Sequence, residues 1–174
     1  MGGRIALHVA LARPDRVRKL VLESASPGLS SNKDRMERIE EDGRLATSIE
    51  REGIADFVKR WEKLPIFASQ KGLPPEVRDR VRSQRMENKP AALACALRGL
   101  GTGMLSSLWG RLECLECPTL LIVGASDIKF VSIARKMESF IPDVCRVEVE
   151  GVGHAVHLES PKMWIQSVVP FLLV

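Results

Sequence analysis

Two strand-length stretches, each followed by a stretch of helix length, constrain this chain more than anything else in it. Thr119-Leu120-Leu121-Ile122-Val123-Gly124 has no charged residue and ends on glycine, and Val144 to Val149 puts Val147 and Val149 on one face. An apolar run of this length bounded by turn residues reads as a strand covered on both faces. Helices are predicted over 131–140, between the two strands, and over 161–173, after them. Strand, helix, strand, helix in this order demands parallel pairing. An earlier strand is predicted over Val17 to Glu23, behind a helix over Gly2 to Ala12 that stops before Pro14. The turn cluster Ser24-Ala25-Ser26-Pro27-Gly28 follows it.

From about residue 33 to 107 the pattern is helical. The segments are Lys33 to Glu52, Ile54 to Lys63 after Gly53, Pro75 to Asn88 and Ala91 to Leu100, with Phe57 and Trp61 at i, i+4 on one face. The expected fold is therefore α/β, with a parallel sheet and a helical block inserted between its first and second strands.

Composition excludes several function classes. With 45% hydrophobic and 28% charged residues the chain reads as a globular domain, and no apolar run approaches the ~18 residues of a membrane span. The net charge of +4 does not come from a basic block: acids interleave with the bases, as in Lys33-Asp34-Arg35-Met36-Glu37-Arg38, and tyrosine is absent. That argues against nucleic acid and leaves room for a small anionic substrate. Cys114 and Cys117 form a C-x-x-C with no second pair, so the four cysteines read as buried free thiols rather than a metal or redox site. No metal and no cofactor are expected. No signal or transit peptide is visible at the N-terminus, and the expected compartment is the cytoplasm, with the plastid stroma as the alternative.

Parallel sheets place chemistry at the carboxyl ends of their strands. Two such ends carry the right polar residues. Asp127 follows Val123-Gly124-Ala125-Ser126, and His154 follows the next strand within Gly151-Val152-Gly153-His154-Ala155. Alone, each has a plain reading, as a helix cap or a surface loop histidine. Together, on consecutive strand ends, they match the acid-then-histidine order of α/β-hydrolase triads. His8 and His157 read as structural. The third triad member should be a serine in G-x-S-x-G. Met1-Gly2-Gly3 resembles the tail of that elbow, which places the expected serine immediately before Met1; Ser24, Ser26, Ser106 and Ser107 lack the context.

Several segments together resemble the SHCHC synthase family, within the α/β-hydrolase superfamily. They are Met1-Gly2-Gly3-Arg4, Leu22-Glu23-Ser24-Ala25-Ser26-Pro27-Gly28-Leu29, Trp61 with Pro65-Ile66-Phe67, Asp127-Ile128-Lys129-Phe130, and Gly153-His154-Ala155-Val156-His157-Leu158-Glu159-Ser160-Pro161. These enzymes eliminate pyruvate from an enolpyruvoyl-cyclohexene carboxylate to give 2-succinyl-6-hydroxy-2,4-cyclohexadiene-1-carboxylate, in menaquinone and phylloquinone biosynthesis.

The resemblance implies the C-terminal part of the hydrolase fold: the last three strands of its sheet and an inserted helical cap. The corresponding bounds are 1–30 for the start of the core, 31–112 for the cap and 113–174 for the end of the core. It also implies roles. His154 takes the serine proton, Asp127 orients the imidazole, and the backbone of Met1 supplies one oxyanion donor. Arg4, Arg38 and Arg85 bind substrate carboxylates, and Trp61 lines the pocket.

Two rivals stay open: a hydrolase of esters or carbon–carbon bonds on the same scaffold, and a non-catalytic, partner-binding remnant. Because no serine stands at the elbow, residues 1–174 alone are expected to be inactive. They are also expected to associate through the exposed edge of the strand at 17–23.

Overall fold

Pro118 has no backbone N–H, and this sets where the sheet begins. The computed structural model describes residues 1–173, and among them the sheet has three strands: β1 (Leu20–Glu23), β2 (Thr119–Gly124) and β3 (Val144–Val149). All are parallel, in the order β1-β2-β3, with Leu20 opposite Thr119 and Thr119 opposite Val144. Leu20 N–H donates to the Pro118 carbonyl at 3.0 Å. The strand expected from Val17 therefore starts three residues late. Residues 17–19 have no ladder partner, and Val17 instead closes the short 3-10 turn Pro14–Arg16.

Alternation then sorts the side chains into two layers. Leu20, Leu22, Leu121 and Val123 join one core with Leu7, Ala10 and Leu11 of α1 (Gly2–Ala12) and with Val131, Ala134 and Met137 of the helix that follows β2. Val21 and Ile122 face the other way, onto Val152, Val156 and Trp164 of the segment after β3. Every residue of β2 is buried, as its unbroken apolar run requires. Each fully buried leucine contributes about 1.5–3 kcal/mol.

The chain divides into two compact units: residues 1–27 with 108–174, which hold the sheet, and residues 28–107. The second boundary falls before Leu108 rather than after residue 112, because Leu108 and Leu112 are buried in the sheet unit's core.

The helical unit is built from α2 (Asn32–Trp61), α3 (Pro75–Met86) and α4 (Pro90–Leu100), with a 3-10 segment at Pro65–Gly72. Ser31 caps α2, its Oγ accepting from Asp34 N–H at 3.3 Å. Gly53 breaks α2 with φ 85° and ψ 176°, a conformation that costs glycine little. Glu52 spans the break to Arg60 and also accepts from Arg51 and Ser48. Ala46, Ile49, Phe57, Val58, Ala94 and Leu97 form this unit's core.

The cysteines correct an expectation. All four are free thiols, but only Cys117 is buried, and burial pushes its pKa up; Cys95, Cys114 and Cys145 are exposed. Cys95 follows Ala94 on α4 and turns off the apolar stripe that Ala94 and Leu97 bury. Cys145 lies on β3, which among the described residues pairs with β2 alone.

Candidate active site

The helix after β2 begins three residues earlier than its apolar pattern suggests, and Asp127 is the reason. It is the N-cap of α5 (Ile128–Glu138), with Oδ1 accepting from Phe130 N–H at 3.3 Å. A carboxylate here satisfies an orphan amide and sits in the favourable field of the helix N-terminus. The second oxygen, Oδ2, lies 2.6 Å from His154 Nδ1. The two side chains are 9% and 25% exposed, so the contact is shielded from water without being sealed. The Phe130 ring stands edge-on to the imidazole, 4.7 Å between centroids. An ionised Asp127 can only accept, so the proton of a neutral imidazole is on Nδ1, the nitrogen that faces the carboxylate.

The loops that bring these residues together are fixed from both strand ends. Ala125 N–H donates to Val149 carbonyl and Ser126 N–H to Val152 carbonyl, each at 2.9 Å. Gly124 admits the His154 loop closely, for a β-carbon there would lie 2.1 Å from the Gly153 carbonyl oxygen. Gly151 turns the chain with φ 70°. Past His154, the short helix α6 (Val156–Glu159) leads into α7 (Pro161–Leu173).

Two carboxylates that the sequence reading did not single out hold this region. Glu159 accepts from the backbone N–H groups of Gly153, at 2.6 Å, and Ala155, at 3.2 Å. Glu23, the last residue of β1, lies 2.7 Å from His157 Nδ1 and accepts from Trp164 Nε1 at 2.8 Å. His157 is thereby tied to β1. A partly buried Trp that needs an acceptor was the available signal for Glu23. No sequence signal pointed to the Glu159 contacts.

Met1 precedes α1, and its carbonyl accepts from Arg4 N–H at 3.0 Å. α1 approaches the carboxyl end of β1 at Gly3, where a β-carbon would stand 2.6 Å from that of Ala25. Arg4 is buried, 6% exposed, an unusual setting for a guanidinium.

The other predicted cations belong to the helical unit, and each has an acidic partner there. Arg38 Nε donates to Asp42 at 2.8 Å. Arg85 donates to Glu62 at 3.3 Å and to Gln70 Oε1 at 3.1 Å, with its guanidinium 5.2 Å from the centre of the Phe67 ring. Trp61 packs between Phe57 and Phe67, at 5.2 and 5.7 Å between centroids. Glu62, Phe67, Gln70, Arg82 and Arg85 border a cavity of about 300 Å³ within this unit. Among the described residues no group of three or more His, Cys, Asp or Glu could hold a metal ion, and no helix is long and apolar enough to cross a membrane.

Known proteins align with this arrangement. The chain is 44% identical over 173 residues to a protein of Bacillus subtilis (strain 168) that carries the name 2-succinyl-6-hydroxy-2,4-cyclohexadiene-1-carboxylate synthase, covering 99% of this chain and 63% of that protein. It superimposes on the structure of MenH from S. aureus with a TM-score of 0.96 at 38% identity, covering 98% of this chain and 64% of that one. A thermophilic esterase from Thermogutta terrifontis matches with a TM-score of 0.81 at 26% identity, over 99% of this chain and 61% of the esterase. The chain thus spans a little under two thirds of the length of these relatives. The model of the alpha/beta hydrolase fold matches residues 1–161. Its parallel sheet, its paired strand-end acid and histidine and this match together establish that the chain belongs to the α/β-hydrolase-fold family.

Proposed function

We propose that the protein carrying this chain is an SHCHC synthase: a lyase that eliminates pyruvate from an enolpyruvoyl-succinyl-cyclohexene carboxylate in quinone biosynthesis. The observation that carries the reading is the 2.6 Å contact between His154 Nδ1 and Asp127 Oδ2. In this reading Asp127 orients the imidazole and stabilises the imidazolium that forms when His154 takes the proton of a serine at the elbow entering α1. The alkoxide then removes a ring proton, its electrons form a new ring double bond as the bond from the ring to the enolpyruvoyl oxygen breaks, and the enolpyruvate released takes up a proton at carbon to become pyruvate. The N–H groups at the start of α1, that of Met1 first, are the proposed donors to the negative charge that develops. A substrate with several carboxylates calls for cations, and Arg4, Arg38 and Arg85 are proposed for that role, with Trp61 on the pocket wall. The acidic partners of Arg38 and Arg85 hold each guanidinium in one orientation, which lowers the entropy lost on binding.

The test is pyruvate release by the protein as its gene encodes it. The enolpyruvoyl substrate is supplied, and the parent is compared with Asp127→Asn and His154→Ala variants. Pyruvate release abolished by either substitution supports the reading. The esterase likeness favours a second reading, ester hydrolysis. A parent that cleaves aryl esters but releases no pyruvate would select it.

A further inference from the structure

We propose that Glu159 is the residue that positions His154, as a clamp on the backbone of its loop. The proposal rests on the reading of His154 and Asp127 as the proton-transfer pair. The two oxygens of Glu159 divide between the amides on either side of the histidine: Oε2 accepts from Gly153 N–H at 2.6 Å and Oε1 from Ala155 N–H at 3.2 Å. A carboxylate accepting from backbone amides makes bonds roughly twice as strong as neutral ones. Ala155 is the N-cap of α6, and its methyl side chain cannot accept a capping hydrogen bond. The loop itself, with Gly151 at φ 70°, forms neither helix nor strand.

The clamp is anchored to a firm base. Glu159 N–H donates to the Ala155 carbonyl at 2.9 Å, closing the turn of α6. In the same turn Val156 is fully buried against Ile122 and Val149 of the sheet. Glu159 thus fixes the backbone of His154 from the α6 side while Asp127 fixes its ring from the β2 side. Two anchors on separate elements define where Nε2 points; Asp127 alone would let the ring pivot with a loose loop.

This gives Glu159 a signature that a merely stabilising residue lacks. Its loss should lower kcat with KM unchanged, because it acts through the loop that carries the proton-transfer group and does not hold the substrate. It should also disturb the hydrogen-bonded Nδ1 proton of His154, visible far downfield by proton NMR.

The experiment uses the protein as its gene encodes it, with Glu159→Ala, Glu159→Gln and Glu159→Asp. Gln keeps one acceptor oxygen but turns an NH₂ toward the second amide. Asp is one methylene too short to span both. The expected fall in kcat is roughly 10-fold for Gln and up to about 10²-fold for Ala, the cost of a misplacement near 1 Å. Asp should fall between the parent and Ala, and the Nδ1 resonance should broaden or shift in the same rank order. If Ala fails to fold, by near-UV circular dichroism, Gln decides. A folded Gln variant with the parent's kcat and the parent's Nδ1 resonance overturns the proposal. If the parent releases no pyruvate, the lyase reading falls, while the resonance comparison still decides whether Glu159 positions the imidazole.

Discussion

A single methyl group at the end of β2 would test the geometry of the dyad most directly. In Gly124→Ala the new carbon would stand 2.1 Å from Gly153 O, 2.3 Å from Val152 O and 2.5 Å from the Val152 carbonyl carbon. All three are backbone atoms, so no side chain can swing aside. Carbon-to-oxygen contacts come no closer than about 3.3 Å, so the His154 loop must retreat by about 1 Å. Overpacking of this kind costs typically about 1–3 kcal/mol. For a chain of this size that lowers Tm by roughly 2–12 °C. Retreat also strains the Ser126 N–H to Val152 carbonyl bond, 2.9 Å in the parent, and draws His154 from Asp127, which should cost about 10²-fold in turnover. Thermal unfolding, pyruvate release and the His154 Nδ1 resonance would be measured together. Glycine itself is not the issue: its φ at this position is not positive, so the whole effect is steric. A Gly124→Ala protein matching the parent in Tm, turnover and resonance would refute the argument that this close approach sets the site.

Three further outcomes are expected. Gly43→Ala, in α2 with nothing within 4 Å of the added carbon, should raise stability by about 0.5–1 kcal/mol, read from urea midpoints. Asp127→Asn should preserve the fold yet reduce turnover by roughly 10⁴-fold, because an amide can leave the imidazole in the wrong tautomer. Hydrogen bonds from Arg51, then Arg60 and Ser48, hold the Glu52 carboxyl at about 2 rather than 4.5. A carboxyl with its pKa lowered in the folded state stabilises above its unfolded value and loses that contribution as pH falls from about 4.5 toward 2. Glu52→Gln should therefore flatten the parent's loss of stability across that window in urea titrations at stepped pH.

The residues that could be read from sequence are those whose environment is local. β2 lies where its apolar run puts it, between Pro118 and Gly124, and β3 where Val147 and Val149 share one face, after a turn before Val144. The dyad was legible because Asp127 and His154 each stand a few residues past a strand end, and parallel pairing brings neighbouring strand ends together. β1 was drawn too long because a strand needs a neighbour, and the limit imposed by Pro118 lies about a hundred residues away in the chain. The Arg38–Asp42 pair, at i, i+4, was available to inspection. Its counterpart, Arg85 with Glu62 and Gln70, joins the end of α2, the 3-10 segment and α3, and no spacing rule reaches that far. Glu159 was in plain view, five positions past His154, but its task depends on a loop conformation that periodicity does not encode.

Leu108 N–H donates to the Pro27 carbonyl at 2.9 Å, so the helical unit leaves the sheet unit and returns to it across one hydrogen bond. Residues 28–107 are in effect a detour with its two ends already stapled. Closing a loop grows dearer only with the logarithm of its length, about 0.6 kcal/mol for each doubling, so the detour can lengthen, shrink or be exchanged at little expense to the strands it interrupts. Modular replacement is thereby built into the chain: a tight turn joining Pro27 to Leu108 leaves the register of β1 on β2 in place. The sheet unit keeps the Asp127–His154 contact while the length and sequence of the inserted helices are free to vary.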